Sequence, residues 1–243
     1  MYGLDYKDLL STVSKYFEIR RVGDYSKPAN GKVCLLRHDV DYDIDQAVKM
    51  AEVEYEVDVQ STYFVLHTAG YYKAAGFIEK CRYLQDLGHE VGLHNNIITV
   101  ALAKPYECTE KLLAQELAYL RDNDLDIRGT VAHGDDLCHE LNYINYQIFK
   151  GCEARNRPDN IAGVEFYTID MADHGLDYEA LFIKRHSYLS DSGRMWSWNY
   201  PKKAEPIESH QESQDVIAYV NKLGAVEGEF VLQVLVHPIW WLL

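Results

Sequence analysis

Parallel strands covered by helices, an α/β architecture, follow from three features of the sequence. Short apolar runs of strand type alternate with segments whose apolar residues recur at helical spacing. The length of 243 residues suits one large domain. Histidines and acids collect where the predicted strands end, the place where parallel sheets and barrels build their sites. Periodicity alone leaves an open doubly wound sheet and a closed barrel both available.

In chain order, Leu9, Val13, Tyr16 and Phe17 predict an N-terminal helix over about 5–17, packed on a single domain spanning 1–243. VCLLR (33–37) reads as a strand, and Ile44, Ala47, Val48, Ala51 and Tyr55 place a helix after it. STYFVL (61–66) is the next strand, followed by a helix carrying Phe77, Cys81, Leu84 and Leu87 that stops at Gly88. EVGLH (90–94) precedes a helix over 107–121, and IRGTVAH (127–133) precedes one over 138–150. VEFYTI (164–169), YLSD (188–191) and FVLQVLV (230–236) complete seven strands, the last preceded by a helix with Val216, Tyr219, Val220 and Leu223 on one face. The segments 151–163 and 196–210 read as long loops of the kind that line binding sites.

Charge and composition exclude several functions. A formal charge of −14, with no basic run longer than Arg20-Arg21 or Lys202-Lys203, repels nucleic acid and anionic membrane surfaces alike. The start, MYGLDYKDLL, lacks a basic segment followed by an apolar one, and no apolar run is long enough to span a membrane, so a cytoplasmic protein without membrane insertion is expected. Five scattered cysteines without a CxxC pair argue against a disulfide framework or a thiolate metal site. Oligomeric state is not legible.

The stretch LLRHDVDYD (35–43) ends an apolar strand in one histidine and three alternating acids. Carboxylates held this close repel unless something positive sits among them. Asp39 and Asp41 follow the first strand, His94 the third, His133 the fourth, Asp191 the sixth and His237 the seventh. Singly, each has an ordinary explanation as a solvated turn or a hydrogen-bonded core histidine. Together, imidazoles and carboxylates at successive strand ends point to a divalent metal, with zinc the expected ion, and to a metal-activated water with a carboxylate beside it.

RHDVD, STYF, GHEVGLH, HGD, YLSDS, DSGRMW and VLVHP, in this order over about 33–241, resemble the polysaccharide deacetylase family, and more narrowly deacetylase-like proteins of bacterial surface-polysaccharide clusters. The resemblance implies a distorted seven-stranded (β/α) barrel and metal-dependent removal of an N-acetyl group from an amino sugar or glycan. It makes Asp39 the catalytic base held by Arg128, Asp41 and His94 metal ligands, His237 the general acid tuned by Asp191, and Trp196 part of the pocket. The aromatic group Trp196, Trp198 and Tyr200 reads either as an apolar wall against a sugar face or as a loop anchored on the barrel rim. Two departures stand out. Ile98 occupies the position of the family's second histidine, leaving His133 as the preferred third ligand and Asn95 or Asn96 as weaker donors. Arg128 is followed by Gly129-Thr130-Val131 instead of the family's prolines. Hydrolysis of another carbon-nitrogen bond, such as a cyclic amide, and a non-catalytic glycan-binding role are the competing readings.

Overall fold

The computed structural model describes residues 4–29, 31–104, 108–199, 208–210 and 213–241. The strands are β1 Glu18–Arg20, β2 Lys32–Val40, β3 Thr62–Leu66, β4 Glu90–Asn95, β5 Gly129–Ala132, β6 Asn160–Ile161, β7 Val164–Glu165, β8 Tyr178–Glu179, β9 Ser187–Ser190, β10 Trp196–Asn199, β11 Glu208–His210 and β12 Phe230–Val236. The helices are α1 Tyr6–Ser14, α2 Ile44–Glu56, α3 Phe77–Asp86, α4 Ile97–Ala103, α5 Thr109–Arg121, α6 Asp136–Glu140 and α7 Ser213–Gly224. The mixed α/β class follows. Among the described residues no helix is long and apolar enough to cross a membrane.

The chain divides into two compact units. The first comprises Met1–Tyr63, Tyr83–Glu90 and Lys184–Leu243, the second Phe64–Arg82 and Val91–Ile183. In the first, strand order is β11-β10-β9-β12-β2, with β1 also paired to β2. The β1, β2, β12 and β9 pairings are parallel, whereas β10 and β11 run antiparallel at the edge. Parallel strands need cover on both faces, and β2 is accordingly buried along nearly its whole length. In the second unit β5 pairs in parallel with β4 and β8.

Helix starts follow capping chemistry. Asp5 accepts a hydrogen bond from the Lys7 N–H at 2.7 Å and opens α1, which ends three residues earlier than the apolar spacing suggests. Asp43, the third acid of the LLRHDVDYD stretch, accepts from the Asp45 N–H at 2.8 Å and opens α2.

Two predicted elements take other forms. VEFYTI contributes only the short β7, paired antiparallel with β6, because Ala162 and Gly163 both adopt positive φ and close a tight hairpin. On the side away from β4, β5 pairs with β8, two residues that carry no periodic signal. The helix expected over 138–150 stops at Glu140; Asn142 turns left-handed at φ 57°, and a 3-10 turn over Asn145–Ile148 follows. Four of the five cysteines are buried as free thiols and Cys108 is exposed.

Beneath β2 lies an ionisable core. Glu54 of α2 is fully buried and accepts hydrogen bonds from Tyr63 Oη (2.8 Å), Ser61 Oγ (2.7 Å), Tyr6 Oη and the His38 ring at Nε2 (2.8 Å). Burial alone would raise its pKa, but the charges and hydrogen bonds of His38, His89 and Tyr6 overcome this and hold it at about 2. Removing one member of a buried charged network leaves the rest uncompensated, at about 3–5 kcal/mol. Glu54→Ala should therefore lower unfolding free energy by about that amount in urea titrations, against about 1 kcal/mol or less for Lys7→Ala, which breaks an exposed pair with Glu56. Because the folded pKa is depressed, Glu54's contribution is complete above the unfolded carboxyl value and is lost as pH falls through about 2.

Candidate active site

Register assembles one end of the first unit. Val236 of β12 lies opposite His38 of β2, and Leu235 lies opposite both Arg37 of β2 and Ser190 of β9. The residues at the carboxyl ends of three adjacent parallel strands, Asp39, His237 and Asp191, are thereby brought side by side. Sequence distance has no bearing on this, since parallel pairing fixes which residues are neighbours.

Asp191 is fully buried and saturated. It accepts from His237 Nδ1 at 2.6 Å, from the His237 backbone N–H at 3.1 Å and from Trp241 Nε1 at 3.2 Å. A carboxylate on Nδ1 fixes the tautomer and leaves Nε2 facing outward, 3.7 Å from Asp41 Oδ2. Burial would lower the His237 pKa, but the Asp191 hydrogen bond and charge, with Asp39 and Asp41 adding, raise it to about 9. The imidazolium is therefore the resting form at neutral pH, as a general acid requires.

The arginine at Asp39 differs from the sequence expectation. Arg128 directs Nε to Asp177 at 2.7 Å, and both side chains are more than half exposed. Arg37 is the arginine paired with Asp39, at 3.3 Å, with both side chains buried. A strand puts residues two apart on one face, so RHD in β2 carries the signal for this pair. A second bond to Tyr188 Oη at 2.9 Å fixes the guanidinium.

The second unit gathers histidines. His94 ends β4, and His133 follows β5; His94 Nε2 and His133 Nδ1 are 3.2 Å apart with the rings nearly perpendicular, at 85°. His94 Nδ1 donates to the Val131 carbonyl at 3.1 Å, a bond that fixes its tautomer and leaves the Nε2 lone pair toward His133. Two imidazole nitrogens so disposed suit a shared cation. His67, just past β3, is a further strand-end histidine, outside those expected from the sequence. It accepts from the Asn96 N–H at 2.9 Å and is kept neutral, its pKa lowered to about 3 chiefly by burial, with His94, Lys73 and His133 contributing.

Asn95 and Asn96 have their side-chain oxygens engaged by the Ile97 N–H and Asn145 Nδ2, both at 2.9 Å, which removes them as ready donors. Ile98 is fully buried in the apolar α4. The aromatic wall expected from Trp196 and Trp198 belongs to the core instead: Trp196 is fully buried beside Trp241, and Trp198 stacks on Tyr219 at 4.7 Å. Both lie on β10, which pairs with β9 where a loop was expected. Tyr200 lies outside the described residues.

No protein-family model matches the chain, and no curated protein matches it. Among solved structures, the chain is similar to a mutant of BA3943, described as a CE4 family pseudoenzyme with restored enzymatic activity, at 15% identity and a TM-score of 0.40. The match covers 86% of this chain and 57% of that one, so the chain spans little more than half of that structure's length.

Asp191→Asn should bring the His237 pKa down from about 9 toward or below the ordinary histidine range, since the leading raising influence is removed while burial remains. NMR titration of the ring nitrogens in chelator-treated protein measures this.

Proposed function

We propose that the protein is a metal-dependent hydrolase that removes an N-acetyl group from an amino sugar in the assembly of a bacterial surface polysaccharide. The observation that carries this reading is the Asp191–His237 pair beside Asp39 and Asp41, a charged acid next to carboxylates at aligned strand ends.

Asp41 and His94, which the sequence resemblance makes metal ligands, with His133 as the third, would offer one carboxylate oxygen and two imidazole nitrogens, a donor set that suits zinc or a similar divalent ion. Such an ion would supply Lewis acidity and lower the pKa of bound water to about 7. The chain's own groups do the rest. Asp39, held by Arg37, accepts the proton of the attacking water as its oxygen adds to the acetyl carbon. His237, oriented and charged by Asp191, donates its Nε2 proton to the amine nitrogen as the carbon-nitrogen bond breaks, releasing acetate and the free amine. Arg37 takes the part that the sequence resemblance gave to Arg128.

A binding role without catalysis is favoured by Ile98, which offers no ligand where the resemblance calls for one. Stoichiometric metal in protein purified without chelator, together with acetate release from acetamido sugars, decides for hydrolysis. Glycan binding without metal decides for the binding role, and ring opening of cyclic amides points to the related hydrolase.

Within the hydrolase reading, Asp39→Asn should reduce kcat by about a hundredfold or more while metal content by elemental analysis stays at the wild-type level. His94→Ala should lose the ion.

A further inference from the structure

Beside His237 in the first unit lies a group of side chains outside the proposed catalytic groups. Trp240 closes the 3-10 turn after His237, its ring centroid 6.4 Å from the imidazole. Tyr42, the neighbour of Asp41, sets its ring 6.1 Å from that of Trp240 at 54° and leaves 66% of its surface exposed. A tyrosine so exposed next to a candidate ligand is poorly explained by packing.

Arg194 completes the group. Its guanidinium lies 4.4 Å from the centre of the Trp240 ring. Gly193 and Arg194 both adopt left-handed backbone, at φ 68° and 62°, a conformation unfavourable for an arginine, and one that presents this side chain at the strand end. Among the described residues no acidic side chain pairs with it. The Trp240 indole N–H is likewise buried without an acceptor. An aromatic pair thus stands beside a guanidinium that no acid answers among the described residues, and the site's own acids are engaged by Arg37 and His237.

We propose that Tyr42, Trp240 and Arg194 form a subsite for an acidic amino sugar, whose pyranose ring packs on the two aromatics and whose carboxylate or phosphate is bound by the guanidinium. Aromatic faces take the apolar face of a sugar ring, and a planar guanidinium binds either anion in bidentate fashion. Charge makes the arginine decisive, since a chain of net charge −14 repels an anion unless a local cation receives it. The subsite rests on the hydrolase reading for the position of the acetamido group beside Asp39 and His237, and it narrows the substrate from amino sugars in general to acidic ones.

Calorimetry on the chelator-treated full chain separates the two claims because binding then needs no turnover. The probes are N-acetylglucosamine carrying an anomeric phosphate, a disaccharide of glucuronate and N-acetylglucosamine, and neutral diacetylchitobiose. At least one acidic probe should bind about tenfold more tightly than the neutral one, and which does so identifies the anion. Arg194→Gln should abolish that preference and leave the neutral probe unchanged, whereas Tyr42→Ala should weaken all bound probes alike. Equal affinity for acidic and neutral probes, no measurable binding of either acidic probe, or an unchanged preference in Arg194→Gln overturns the subsite. Acetate release assayed separately with divalent ion tests the hydrolase reading: Arg194-dependent binding without any release removes that reading alone, and release insensitive to Arg194→Gln removes the subsite alone.

Discussion

Parallel hydrogen bonding between β2 and β12 is the constraint on which the rest depends. It aligns Val236 with His38, so the next residue on each strand, His237 and Asp39, emerges at the same level. The β12–β9 ladder does the same for Asp191. Three acids and a histidine crowd there, and burial makes each charge costly unless another answers it. Arg37 answers Asp39 and His237 answers Asp191. Charge compensation and strand register are thus one requirement: a slip in pairing would separate the partners and leave charges buried alone.

The second unit holds its histidines in place through hydrogen bonds. Its imidazoles are oriented through the backbone, His94 by the Val131 carbonyl and His67 by the Asn96 N–H. Asn145 ties the surrounding loops together, donating to Asn96 Oδ1 and the His133 carbonyl while its own Oδ1 accepts from the Ile98 N–H. Rings held in this manner keep their lone pairs in fixed directions, a precondition for ligating a cation without reorganisation.

How much of this was legible in the sequence depends on the kind of signal. Long apolar strands such as FVLQVLV, and amphipathic helices such as α2, declared themselves because burial imposes periodicity on many residues at once. The strand-end histidines were legible because parallel sheets put chemistry at one end. Arg37 was not recognised, since a charged residue inside an apolar strand looks like noise until its partner two positions on is considered. The burial of Trp196 and Trp198 was hidden for a different reason: β10 lies in a polar, aromatic stretch, and only its pairing with β9 brings those rings into the core. The short β8 left no trace because two residues cannot carry a period.

In β2, His38 and Asp39 are consecutive, so pleating turns them to opposite faces. One is locked to Glu54 in the interior, the other faces Arg37. This strand is keyed from below. Exchanges among the side chains at its tip that keep Arg37 compensated can accumulate without loosening the scaffold, because the anchoring is done one residue earlier and on the far side. A lineage could therefore trade one chemistry for another, or abandon chemistry altogether, while inheriting the same frame.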